Sequence, residues 1–241
     1  MNTPVEVRKT LHRSSSRGGA NFGWLQSRHT FSFGNYFDAE RVNFGALRVL
    51  NDDQVAPAAG FPTHPHDNME IVSIPLSGAL EHKDTTGTDG IIRTGDVQIM
   101  SAGTGIAHSE FNHSSEEAVK FLQIWVLPEK RDIHPRYDQK AFLSEDRKNQ
   151  FQLMVSPDES ESTLWINQNA YFSMADLDKG MTIDYAMSDT SNGVYFFIIE
   201  GSANVGEEIL EYRDGLGLYG APSISIQATA PTSILAIEVP M

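Results

Sequence analysis

Thr63 to Asp84 reads THPHDNMEIVSIPLSGALEHKD. Its middle, Ile71 to Leu76, is a short apolar run that stops at Ser77-Gly78, the length and punctuation of a buried strand followed by a tight turn. Similar runs recur at Val97 to Met100, Val119 to Leu127, Val194 to Ile199 and Ile234 to Val239, while sustained helical periodicity is scarce. Connections such as Asp84 to Gly90 (DTTGTDG) are too short for a helical crossover between parallel strands. The pattern therefore predicts an all-β chain of antiparallel strands, closed as a barrel or stacked as a sandwich, with few short helices.

The same stretch has an echo. Residues 71–82 (IVSIPLSGALEH) resemble residues 194–205 (VYFFIIEGSANV), and Gly95 to Met100 is matched loosely by Asp214 to Tyr219, as a duplicated barrel would produce. The charged, proline-containing stretch 128–150 separates the copies. We expect a first domain over 1–134, a linker over 135–150 and a second domain over 151–241. The halves differ in chemistry: all eight histidines precede residue 135, and 13 acids face only Lys179 and Arg213 from residue 151 onward. A histidine site belongs to the first half.

His64-Pro65-His66 puts two imidazoles two residues apart, so an extended segment turns both to one side. His108-Ser109-Glu110 repeats the spacing with an imidazole and a carboxylate. Two strands with two inward pairs supply four ligands, His64, His66, His108 and Glu110. Such a set suits iron, manganese, cobalt, nickel, copper or zinc better than calcium or magnesium, and leaves two positions of an octahedral ion open. Glu70 competes for the carboxylate role, because His66, Asn68 and Glu70 share a face if the strand runs on. His29, His82, His113 and His134 lack comparable partners and read as hydrogen-bonded or solvated side chains. The aromatic segment Phe22 to Asp38 (FGWLQSRHTFSFGNYFD) reads first as core, second as the wall of an apolar pocket.

Composition excludes other classes. The net charge of -14 disfavours direct binding to nucleic acid or an anionic bilayer. The absence of cysteine removes disulfides, thiolate metal sites and cysteine nucleophiles. No apolar run approaches the roughly 20 residues of a membrane span, and the N-terminus lacks the apolar core of a secretion signal, so a cytoplasmic protein is expected. Residues 8–17, basic and serine-rich, read as a solvated leader.

The stretches THPHDNME (63–70) and SAGTGIAHSE (101–110) carry a resemblance to the pirin family of the cupin superfamily. It extends through WLQSRHTFSFGNYFD, LRVLNDD and LQIWVLPEKRDIHPRYDQ, covers most of residues 22–140, and lies close to the bacterial pirin-like quercetin 2,3-dioxygenases. The resemblance implies a bicupin with one iron(II) site in the first barrel and none in the second, with the carboxylate ligand at Glu110 rather than Glu70. It further implies cleavage of a flavonol by dioxygen with release of carbon monoxide; Glu110, the acid-base group within the proposed ligand set, is expected to take the hydroxyl proton. The alternative is an iron-containing, redox-sensitive module that binds a protein partner.

Overall fold

The computed structural model describes residues 7–241. Among the described residues strands dominate and helix is confined to the short 3-10 turns Ser14–Ser16 and Ser144–Arg147, and the chain divides into two compact units. Among the described residues no helix is long and apolar enough to cross a membrane.

One unit comprises residues 17–142 and 158–168. A seven-stranded antiparallel sheet runs in the order Arg136–Ala141, Asp96–Ser101, Glu70–Ser77, Val119–Val126, Leu47–Val55, Leu25–His29, Gly18–Asn21. A four-stranded sheet runs Gly60–His66, Ile106–Asn112, Ala79–Asp84, Asp89–Arg93. Their inner faces meet in two apolar clusters. One holds Leu25, Val55, Leu80, Ile92, Val119 and Phe121; the other holds Ile71, Met100, Ala102 and Ile106. Burying side chains of this size contributes roughly 1.5–3 kcal/mol each, so these clusters supply the main drive for closing the barrel.

Between the clusters lies a polar row. Cross-strand pairing aligns His29 with Asn51, Asn51 with Gln123, Gln123 with Ser73, and Ser73 with Gln98. Paired residues of an antiparallel sheet share a face, and all five of these are buried. A belt of hydrogen-bonding groups thus crosses the interior between two apolar ends.

The second unit contains the remaining described residues, 7–16, 143–157 and 169–241. Its larger sheet includes Arg8–His12, Gly215–Tyr219, Asn192–Glu200, Thr232–Pro240, Tyr171–Leu177 and Gln152–Ser156. Its smaller sheet is Thr182–Ala186, Ser223–Ala228, Ala203–Val205, Glu208–Leu210. The interior is filled by apolar side chains, among them Val194, Phe196, Ile198, Leu216, Ile226 and Ile234. The internal echo is structural as well: Gly78 and Gly201, both in the left-handed region at φ 79° and 81°, turn the chain between equivalent strands.

Two expectations are corrected. Residues 8–12 are no solvated leader, because Arg8–His12 pairs with Gly215–Tyr219 as a sheet strand. The stretch 135–150 is not a free linker either: Arg136–Ala141 pairs with Asp96–Ser101 and extends the first unit's sheet. Its residues are charged yet alternate in direction, and hydrogen bonding to an otherwise open edge outweighs their polarity.

Gly60 illustrates how tightly the site-bearing strands approach. A Cβ there would lie 2.4 Å from the Glu110 carbonyl oxygen and 2.5 Å from Phe111 Cα. Gly60→Ala is expected to cost about 1–3 kcal/mol, read as a fall in denaturation midpoint in a urea titration.

Candidate metal centre

The site is built on the pair Gly60–His66 and Ile106–Asn112. His64 lies directly opposite His108, and the register then shifts so that Glu110 faces Phe61. Pro62 sits in this irregularity, where its missing N–H leaves no ladder bond to break. Its carbonyl lies 2.8 Å from His64 Nδ1, so the Nδ1–H tautomer donates to it and Nε2 is left as a lone-pair donor. His66 Nε2 and His108 Nε2 stand 3.0 Å apart. That separation suits two nitrogens bound to one ion at roughly 2.0–2.1 Å. His64, His66 and His108 form a group whose ligating atoms lie within 4.8 Å of one another.

Burial lowers the basicity of two of these rings, His66 to about 4 and His108 to about 2, with neighbouring histidines adding to the effect. Both are neutral near pH 7, the form that ligates a metal.

Glu110 belongs to a second group of the same span, with His82 and His108. The structure therefore brings the four expected residues into two overlapping groups that share His108. Burial raises the Glu110 carboxyl to about 7, against hydrogen bonds from Ser73 and Gln123. Gln123 Nε2 donates to Oε2 at 2.8 Å. Ser73 Oγ lies 2.7 Å from Gln123 Oε1 and 3.2 Å from Glu110 Oε1, and its single proton serves one of them at a time. A protonated Glu110 meets that hydroxyl as donor.

Glu70 is placed elsewhere. Asn68, at φ 45°, ends the strand that the two histidines share, so Glu70 starts a new one. Its Oε2 accepts from Ser101 Oγ at 2.7 Å and from the Asn167 N–H at 3.2 Å. Burial raises this carboxyl to about 7.

His82 is the residue that sequence reading missed. It is fully buried; Nε2 lies 2.9 Å from Asp84 Oδ2 and Nδ1 lies 3.5 Å from His108 Nδ1. Tyr137 packs on its ring at 4.5 Å between centroids. The signal was present, since His82-Lys83-Asp84 has the same two-residue spacing as the other pairs. His113 instead meets Glu81 at the surface, and His134 lies against the Pro135 carbonyl.

A cavity of about 710 Å³ opens beside His64, His66 and Glu110. Phe22, Trp24, Phe33 and Tyr36 line it, together with Phe61 and Trp125. The aromatic segment thus serves chiefly as a wall. Phe31 alone of its six aromatic rings is core, and Phe37 is 76% exposed.

A double-barrel β protein with a histidine cluster inside one barrel is a cupin architecture. The chain belongs to the pirin family: residues 9–126 match the pirin family and 153–239 match the quercetinase C-terminal cupin domain. It is 38% identical over 231 residues to quercetin 2,3-dioxygenase of Escherichia coli, covering 95% of this chain and 98% of that one. A pirin-like protein of Caulobacter vibrioides is 38% identical over 222 residues, 92% of this chain and 95% of its own. The crystal structure of a bacterial pirin from Escherichia coli in complex with nickel(II) superposes with a TM-score of 0.91 at 38% identity, covering 97% and 99% of the two chains.

The raised Glu70 carboxyl predicts a pH effect. The folded state holds its proton up to about 7 while the unfolded state releases it near 4.5, so this group's stabilisation is full below the lower value and is lost as pH rises through the higher. The stability of the wild-type protein minus that of Glu70→Gln is expected to fall by on the order of 1–3 kcal/mol between pH 5 and pH 8. Paired urea titrations across that range measure it.

Proposed function

We propose that the chain is a metal-dependent dioxygenase that opens the central ring of a flavonol with dioxygen and releases carbon monoxide, with iron(II) as the metal. One observation carries the reading: a cavity large enough for a three-ring aromatic molecule adjoins a three-histidine cluster and a buried carboxyl. The similarity to quercetin 2,3-dioxygenase of Escherichia coli supports the same chemistry. A module that only reported redox state to a protein partner would need no such cavity.

In this reading the unit spanning 17–142 is the metal-binding domain. His64, His66 and His108 would hold the metal through Nε2, and Glu110 would complete the set. A bound ion would supply Lewis acidity toward the substrate's 3-hydroxyl and a position for dioxygen beside it. Every other task falls to side chains. Trp24, Phe33 and Phe61 enclose the flat rings and keep water from them. Glu110 takes the hydroxyl proton, while Gln123 keeps its carboxyl in place. His82, anchored by Asp84, orients the His108 ring from behind.

Metal-free protein reconstituted separately with iron(II), nickel, cobalt, manganese, copper and zinc tests the proposal, with flavonol absorbance and carbon monoxide followed under oxygen. His64→Ala and His108→Ala are expected to lose both metal retention and turnover, whereas Glu70→Gln keeps the metal. Intact metal binding without turnover of quercetin by any metal would refute the catalytic reading. His82→Phe is expected to weaken metal affinity about 10–100-fold, measured by competition with a chelator.

A further inference from the structure

The polar belt continues past the groups that the proposed reaction uses. Asn51 and Asp53, at alternate positions of strand Leu47–Val55, both line the cavity although only 2% and 4% exposed. Asn51 Oδ1 and one carboxyl oxygen of Asp53, Oδ1, are buried without a hydrogen-bond partner, while the Ser27 hydroxyl, directly opposite on the neighbouring strand, interacts with the Asp53 carboxyl. Buried acceptors are almost always paired, so two unpaired ones in a cavity wall point to a donor carried by the ligand.

Register fixes where that donor sits. Asn51 pairs directly with Gln123, the residue that holds Glu110, one strand spacing of about 4.8 Å away. Asp53 lies the next inward step along, roughly 7 Å from Asn51. Both therefore lie on the cavity wall that also carries Gln123 and Glu110. Trp24 and Phe61 lie in the same cavity, in edge-to-face contact with each other at 5.1 Å. A neutral phenol suits this setting better than an ammonium group, because burial raises Asp53 to about 7 and the neighbouring walls are apolar.

Resting on the flavonol reading above, we propose that Asn51 and Asp53 determine specificity by accepting hydrogen bonds from a phenolic hydroxyl other than the reacting one. The site then selects polyhydroxylated flavonols over those with the 3-hydroxyl alone. A site built to pair a hydroxyl discriminates against analogues that lack it, because its own acceptors are then left unpaired.

Calorimetric titration of the nickel-loaded protein under argon, with quercetin and with 3-hydroxyflavone, tests this. The two ligands share the ring system and the 3-hydroxyl and differ in the additional hydroxyls. Wild-type protein is expected to bind quercetin at least tenfold more tightly. Asn51→Leu and Asp53→Leu are each expected to bring the ratio below threefold by weakening quercetin, leaving 3-hydroxyflavone within threefold of wild type. Asp53→Asn, which keeps an acceptor oxygen, keeps most of the ratio. If either leucine variant fails to fold, Asn51→Ser and Asp53→Ser carry the same criterion. A wild-type ratio near one, or a ratio that survives both substitutions, overturns the inference. Cleavage of quercetin alongside a ratio near one would leave the dioxygenase reading intact and remove only this pair's role. A hydroxyl-dependent ratio without turnover would do the reverse.

Discussion

The alternation of side chains along antiparallel strands, held in one register, is the constraint on which everything in the first unit rests. His64 and His66 face inward together only because Gly60–His66 is extended, and they meet His108 only because His64 and His108 are direct cross-strand partners. A slip of one residue in Gly60–His66 would turn His64 and His66 away from His108. The irregularity beyond His108 and the close approach at Gly60 pin that register, since no side chain fits between Gly60 and the Glu110 backbone. Packing geometry thus fixes the chemistry before any ligand is considered.

A polar belt inside a barrel is energetically expensive, and its design limits the expense. Burial drives His66 and His108 toward the neutral imidazole, and Glu110, Glu70 and Asp53 toward the neutral acid. Several groups that remain polar are paired with one another: Ser73 with Gln123, Gln123 with Glu110, His82 with Asp84. Asp84 is the charged exception. Burial raises it, but hydrogen bonds from Thr86, His82 and Thr88 outweigh that and hold it below the usual carboxylate range. A fixed negative charge behind His82 favours an ion-binding role for the ring in front, His108, over a merely structural one.

Much of this was legible in the sequence because spacing and alternation are local. The His-x-His and His-x-Glu pairs, the hairpin between Ala79–Asp84 and Asp89–Arg93, and the duplicated turn at Gly78 and Gly201 all follow from residues near one another in the chain. What escaped depends on distant strands. His82 becomes part of the centre only through the cross-strand pairing of Glu110 with His82, 28 residues apart in the chain. Trp24, Phe33 and Tyr36 become a wall rather than core because the facing barrel leaves a cavity there, which composition does not encode. The strand Arg8–His12 hides behind a basic, polar sequence because its partner lies some 200 residues away. Glu70 looked like a ligand only while the strand was assumed continuous, and the left-handed Asn68 breaks it.

The two units show that the scaffold does not dictate the chemistry. By the offset of the internal echo, Ser73 corresponds to Phe196. The serine reaches the Glu110 carboxyl; the phenylalanine packs among Val194, Ile198, Leu216 and Ile226. Replacing a small hydroxyl by a large ring at one inward position both removes a hydrogen-bonding group and fills the space a ligand would occupy. Repeated around the interior, such exchanges turn a cavity with a polar belt into a solid apolar core, without altering the order of strands or the turns between them. Activity in this architecture therefore resides in which inward positions are left polar and which volume is left unfilled, and both are properties of the first unit's side chains rather than of its backbone.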